Sequence, residues 1–119
     1  MNELFVHNAQ EAFPEVKITN AGHFSASTDM GDVSHLMPAI HPFIGGVDGL
    51  LHGPDFKVVD FKAAALLPGK AFAGMVIDLL SDDAKDAKKI LADFKPALTK
   101  EQYIAKLDGY FSEEEPDHD

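Results

Sequence analysis

Seven ionisable side chains crowd one quarter of the chain. Between Ser27 and Phe56, "STDMGDVSHLMPAIHPFIGGVDGLLHGPDF" carries His35, His41 and His52 with Asp29, Asp32, Asp48 and Asp55. Histidine and aspartate together are the donor set of divalent-metal chemistry. His52, in "GLLHGPDF", is the sharpest candidate, because a loop histidine beside glycine is well placed to aim a neutral imidazole at a metal. A metal-bound histidine gives its other ring N–H to a carboxylate or carbonyl, and Asp55 and Asp60 are both near enough in sequence to serve. Taken alone, a loop histidine is more often an ordinary surface residue, and zinc takes about four ligands. The donors that would complete a site within this chain are Asp29, Asp32, His35 and His41. Asp32 and His35 fall one helical turn apart and can meet, a pairing more often a surface hydrogen bond or capping contact. His41, in an apolar run before Pro42, reads as a hydrogen-bonded core histidine. The spacing matches no helical H-E-x-x-H pattern.

Other chemistries are weaker. "EEE" at Glu113–Glu115 lies in an acidic tail that offers neither burial nor a fixed partner to tune a general base. Ser25, Ser27 and Ser34 lack the G-x-S-x-G elbow of a hydrolase nucleophile. "FIGGVDG" lacks the lysine and hydroxyl residue of a phosphate-binding loop.

The elements that must position these groups follow from pattern and caps. Asn2–Ala12 reads as a helix with Phe5, Ala9 and Ala12 on one face, stopped before Pro14. "EVKIT" alternates as a short half-buried strand does. A helix starts at "STDMGDVSHLM", capped by Ser27 or Thr28, with Asp29 and Asp32 at its positive end and Pro38 as its limit. "AIHPFI" reads as a buried strand ended by Gly45 and Gly46, followed by a glycine-punctuated loop around a short strand. Asp60 caps the apolar helix "FKAAALLPGKAFAGMVIDLL", which Pro68 and Gly69 should kink or restart. Two amphipathic helices remain. One shares Ala87, Ile90, Leu91 and Phe94 on a face. The other opens with the Thr99–Gln102 capping box and directs Tyr103, Ile104, Leu107, Tyr110 and Phe111 inward.

Composition narrows the class. The 119 residues suit one domain, and 45% apolar residues suffice for a core. A net charge of −10 repels phosphate backbones and anionic lipid, so neither nucleic acid nor membrane is an expected partner. The absence of cysteine excludes disulfides and Cys-based zinc sites and fits a reducing compartment. No basic, apolar leader pattern opens the sequence, and no apolar run is expected to approach the ~20 residues of a membrane span. The expected location is cytoplasmic. Four or five helices with only two or three short strands cannot make a self-sufficient central sheet, so strand edges are left open.

The ordered block "SASTDMGDVSHLMPAIHPFIGG", "LHGPDFKVVD" and "LLPGKAFAGMVIDLL" resembles the C-terminal end of the metal-dependent amidohydrolases. This is the zinc-exopeptidase superfamily of glutamate carboxypeptidase, N-acyl-amino-acid amidohydrolases and aminobenzoyl-glutamate hydrolase. The similarity runs from about His23 to Leu80, roughly half the chain, and is strongest to the last two branches. It implies an α/β catalytic domain whose final part follows a lid and dimerisation domain. It gives His52 the role of the last metal ligand and makes Asp29 a site-lining, substrate-binding residue. In such enzymes two divalent metals lower the pKa of a shared water, and a glutamate relays its proton to the leaving amine. The family's other ligands and its catalytic glutamate have no counterpart here. Only Glu3, Glu11 and Glu15 precede His52, and Ala26 stands where a glycine is expected.

The sequence therefore leads to an α/β expectation: residues 1–111 as the C-terminal segment of an amidohydrolase catalytic domain, helix-rich with two or three short strands, and 112–119 as a disordered acidic tail. No catalytic residue is assigned. The expected cofactor is zinc or manganese in the full-length parent, not held tightly by this chain, which is expected to be inert alone. The expected partner is the upstream part of the same domain, with self-association through an exposed sheet edge as a further possibility. The competing expectation is a small acidic helical module that binds a protein partner without catalysis.

Overall fold

The computed structural model describes residues 1–20, 22 and 27–111. In chain order these form helix α1 (Asn2–Ala12), α2 (Asp29–Leu36), strands β1 (Val47–Asp48) and β2 (Lys57–Val58), a π-helical turn (Lys62–Leu66), α3 (Leu67–Asp93) and α4 (Lys100–Asp108). The chain is helix-rich with one two-stranded antiparallel hairpin, Val47 opposite Val58 and Asp48 opposite Lys57.

Local chemistry sets the helix starts. The Thr28 side chain accepts from the Met30 N–H at 3.4 Å. Asp60 Oδ1 accepts from the Ala63 N–H at 3.1 Å, so Asp60 opens the apolar helix as its sequence position implies. Thr99 and Gln102 make the reciprocal capping box, with bonds of 3.2 and 2.9 Å. Pro68 has no N–H for the Ala64 carbonyl and its ring would crowd that oxygen. The preceding turn widens to π geometry, with the Leu67 N–H reaching back to the Lys62 carbonyl, and the helix continues without a break. The interruption comes later: Asp82, Asp83 and Ala84 take left-handed φ values of 49°, 59° and 55° and divide α3 into two helical arms.

Two expected strands are absent: "EVKIT", read from alternation, and "AIHPFI", read as a buried strand, are turn or irregular chain and join no sheet. The second segment is covered on one side only. Ile40 and Ile44 pack toward the core while His41 and Phe43 face outward. The residues are shaped for a ladder, but no neighbouring strand is paired with them.

The core lies where α1 crosses the first arm of α3. Phe5, Ala9, Ala71 and Met75 are buried together, with Leu4, Ile40, Ile44 and Leu67 packed around them. Phe5 and Phe72 place their rings 5.1 Å apart. Asn8 is buried in this contact, donating to the Leu4 carbonyl at 2.9 Å and to Asp78 Oδ2 at 2.6 Å. Opposite it Gly74 is required, because a Cβ there would stand 1.9 Å from Asn8 Oδ1.

Around this core little is covered. Of the described residues, six apolar side chains are buried, against twenty-one large ones left more than a third exposed. The accessible surface is 9758 Å², where a compact protein of this mass exposes about 6,300 Å². The radius of gyration is 19.1 Å, against about 13.5 Å for a compact chain of this length. The amphipathic pattern of α4 predicted burial for five side chains, but only Tyr103 is buried and Phe111 stays 86% exposed. By length and composition alone, Lys62–Asp93 is apolar enough to cross a membrane. Its π turn joins what the sequence divides at Pro68.

Candidate functional site

His52 occupies the tip of the β1–β2 hairpin. The loop starts where Asp48 Oδ1 accepts from the Gly49 N–H at 2.9 Å. Gly49 then takes φ +91°, with no room for a side chain because a Cβ would lie 2.5 Å from the Asp55 carbonyl oxygen. The chain turns at Leu50–Gly53, closed by the Gly53 N–H donating to the Leu50 carbonyl at 2.7 Å. His52 is the third residue of that turn, with φ +66°. Left-handed backbone costs a residue with a Cβ about 1–2 kcal/mol; histidine tolerates it better than most. Such an outlier at an exposed turn is the kind of strain that accompanies function.

At its base the hairpin is tied to the helix start. The Gly46 carbonyl accepts from the Val59 and Asp60 N–H groups at 2.9 and 3.1 Å. This separates the two carboxylates proposed as partners for His52. Asp60 is committed to capping. Asp55 folds back over the turn, its Oδ1 2.6 Å from where a Cβ on Gly53 would be, next to His52 in the chain.

The other sequence-nominated donors go elsewhere. Asp29 is exposed in the first turn of α2. Asp32 and His35 do not bond each other; both meet Tyr103 of α4. The Tyr103 hydroxyl donates to Asp32 Oδ1 in a short hydrogen bond, and the His35 ring lies 5.7 Å from the Tyr103 ring. His35 Nδ1 is 2.7 Å from the Gly31 carbonyl, which can only accept, so Nδ1 carries the proton. Bonding to Asp32, reinforced by burial, pushes the Tyr103 phenol up to about 12. It is a fixed donor at neutral pH and no base. His41 is exposed, not a core histidine, and stacks on Phe43 at 5.7 Å. Ser34 donates to the Gly31 carbonyl at 2.8 Å, a contact within its own helix. Ser25 and Glu113–Glu115 lie outside the described residues.

Among the described residues, no three histidine or acidic side chains converge where a metal could be held. These residues by themselves do not fit a metal centre. His52 fits one corner of such a centre, an exposed imidazole on a braced turn. The Asp32–Tyr103 bond was not anticipated from the sequence. The available signal was Tyr103 itself, since a buried tyrosine hydroxyl needs a partner. An open apolar groove of about 400 Å³ between Met1, Met37, Ile40, Ile90 and Phe94 holds one carboxylate, Asp93, and none of the nominated donors.

Comparison with protein-family models, curated proteins and solved structures returns no match.

Proposed function

We propose that this chain is the C-terminal part of a metal-dependent amidohydrolase catalytic unit and contributes His52 as one ligand of a divalent-metal centre. The unit would hydrolyse N-acyl or peptide amide bonds of amino acids. The observation that carries the reading is His52 itself: an exposed imidazole at a left-handed turn position, presented by a braced hairpin, with too few donors beside it to hold an ion. The order of "STDMGDVS" and "LHGPDF", with Asp29 opening α2, supports it. So do the unladdered strand pattern at Ile40–Ile44 and the large uncovered apolar surface. On this reading Asp29 lines the substrate side, and the metal, zinc or manganese, supplies an activated water once the upstream ligands are present. The chain alone is inert.

The test is complementation. An N-acyl-amino-acid amidohydrolase is cut just before its segment corresponding to Ser27–Phe56, and this chain is added in trans with zinc or manganese. Restored hydrolysis that His52→Ala abolishes is the expected result. Hydrolysis by the chain alone, or complementation indifferent to His52, overturns the proposal. The alternative of a protein-binding module draws on the same exposed surface; it is favoured if the chain forms a discrete complex with an unrelated protein and never complements.

A further inference from the structure

The face of α3 turned away from α1 is apolar, nearly uncharged and self-complementary, and we infer that it pairs two copies of this chain antiparallel about Ala73. Leu66, Gly69, Ala73, Val76 and Leu80 recur at alternating spacings of three and four, with Ile77 beside them, and all six are exposed. That spacing keeps a stripe on one side of a helix and is the seam pattern of paired helices. The opposite side, with Ala71 and Met75, is the face already buried against α1.

Three observations select a second copy as the occupant. The first is size. About a two-fold axis at Ala73, Leu66 meets Leu80 of the second copy, Gly69 meets Ile77, and Ala73 meets Ala73, with Val76 level with Lys70. Large residues fall opposite small or equal ones in the first three of these layers, as an isologous interface requires. Gly69 has no role within its own chain, since a Cβ there would touch nothing. A helical glycine costs about 1 kcal/mol relative to alanine; close approach by another helix gives it a use.

The second is charge. Two chains of net charge −10 repel each other, yet from Ala63 to Leu80 the only charged residues are Lys70 and Asp78. Asp78 is turned inward to Asn8, and Lys70 lies over the Phe13 ring at 5.1 Å. This face is therefore where two acidic copies can meet. The third is exposure. Leu66, Val76, Ile77 and Leu80 are 48, 54, 66 and 68% exposed, the apolar area on which such an interface would draw. The sheet edge is a poorer route to self-association, because each strand offers only two residues. The stripe shares no residue with the His52 loop, so the dimer and the His52 requirement are tested by separate variants.

The test is sedimentation equilibrium and light scattering on the full 119-residue chain. Wild type is expected at twice 12.9 kDa. Ala73→Glu and Ala73→Lys, at an exposed helical position, should each be monomeric with unchanged helix content. Mixing those two variants should restore a dimer, which a merely misfolded variant would not do. Leu91→Glu, a larger loss of exposed apolar side chain on the second arm, should leave the dimer intact. A monomeric wild type overturns the inference. So does a dimer indifferent to Ala73→Glu, or a chain that floats with neutral phosphatidylcholine vesicles as a monomer.

Discussion

Gly74→Ala probes the close approach of α1 to α3. At an open helical position this change stabilises by about 1 kcal/mol, because glycine carries excess backbone freedom in the unfolded chain. Here the added carbon would stand 1.9 Å from Asn8 Oδ1 and 2.7 Å from Asn8 Cγ. Asn8 cannot swing aside without loss, since its amide holds the Leu4 carbonyl and Asp78 Oδ2 at 2.9 and 2.6 Å. Overpacking of this kind costs about 1–3 kcal/mol, and a broken bond to a charged acceptor costs about 1.5–3 kcal/mol. As alternative routes set against the helix gain, either leaves a net destabilisation of up to about 2 kcal/mol. In an Asn8→Ala background the nearest remaining atom of residue 8 is its Cβ, at 3.2 Å. The same substitution there should be neutral or stabilising by up to about 1 kcal/mol. Urea unfolding followed by helical circular dichroism, at one fixed protein concentration, gives the four corners of the cycle. Equal effects of Gly74→Ala with and without Asn8, or stabilisation in both, would show that the two helices do not meet at this point.

At the hairpin tip, His52→Gly relieves the left-handed backbone and should leave the fold as stable as wild type or slightly more so, whereas β-branched His52→Val should be less stable than wild type. Both should fail in complementation; a working His52→Gly chain would remove the imidazole from the proposal. The Tyr103 phenol, held up to about 12 by its bond to Asp32, binds its proton more tightly in the folded state than in the unfolded one. Stability from this contact is therefore complete below about pH 10 and lost as pH rises toward 12. Absorbance at 295 nm should show late ionisation of Tyr103 that Asp32→Asn brings to lower pH; an unchanged profile refutes the contact.

What could be read in the sequence divides by the range of the interaction. Thr28, Asp60 and the Thr99–Gln102 box were legible because a cap bonds a backbone group two or three residues away. The bounds of α1 were legible for the same reason, through Pro14 and the Phe5–Ala9 spacing. Pro68 was a readable disturbance, though the chain absorbs it in a π turn, and the real break falls at Asp82–Ala84. Strands were misread because alternation records which side of a segment is covered, while a ladder needs a second segment that alternation does not specify. Asp32 was placed on the right helix and given the wrong partner, because Tyr103 is 71 residues away.

The same division bears on function. Short-range requirements are met throughout the described chain: helices are capped, the hairpin turn is bonded, and no buried side-chain polar atom lacks a partner. Long-range requirements are met mainly where α1 and the Ile40–Ile44 segment meet α3, at the Glu15–Lys62 ion pair and where Tyr103 reaches Asp32. A disordered sequence fails the first test, and a self-sufficient domain passes the second. A chain that passes one and largely fails the other leaves apolar surface uncovered. In the proposed dimer the stripe about Ala73 would account for part of it through symmetry, without placing any donor beside His52. Two deficits with no residue in common call for two separate remedies, so abolishing the dimer with Ala73→Glu should leave the His52 requirement in complementation intact.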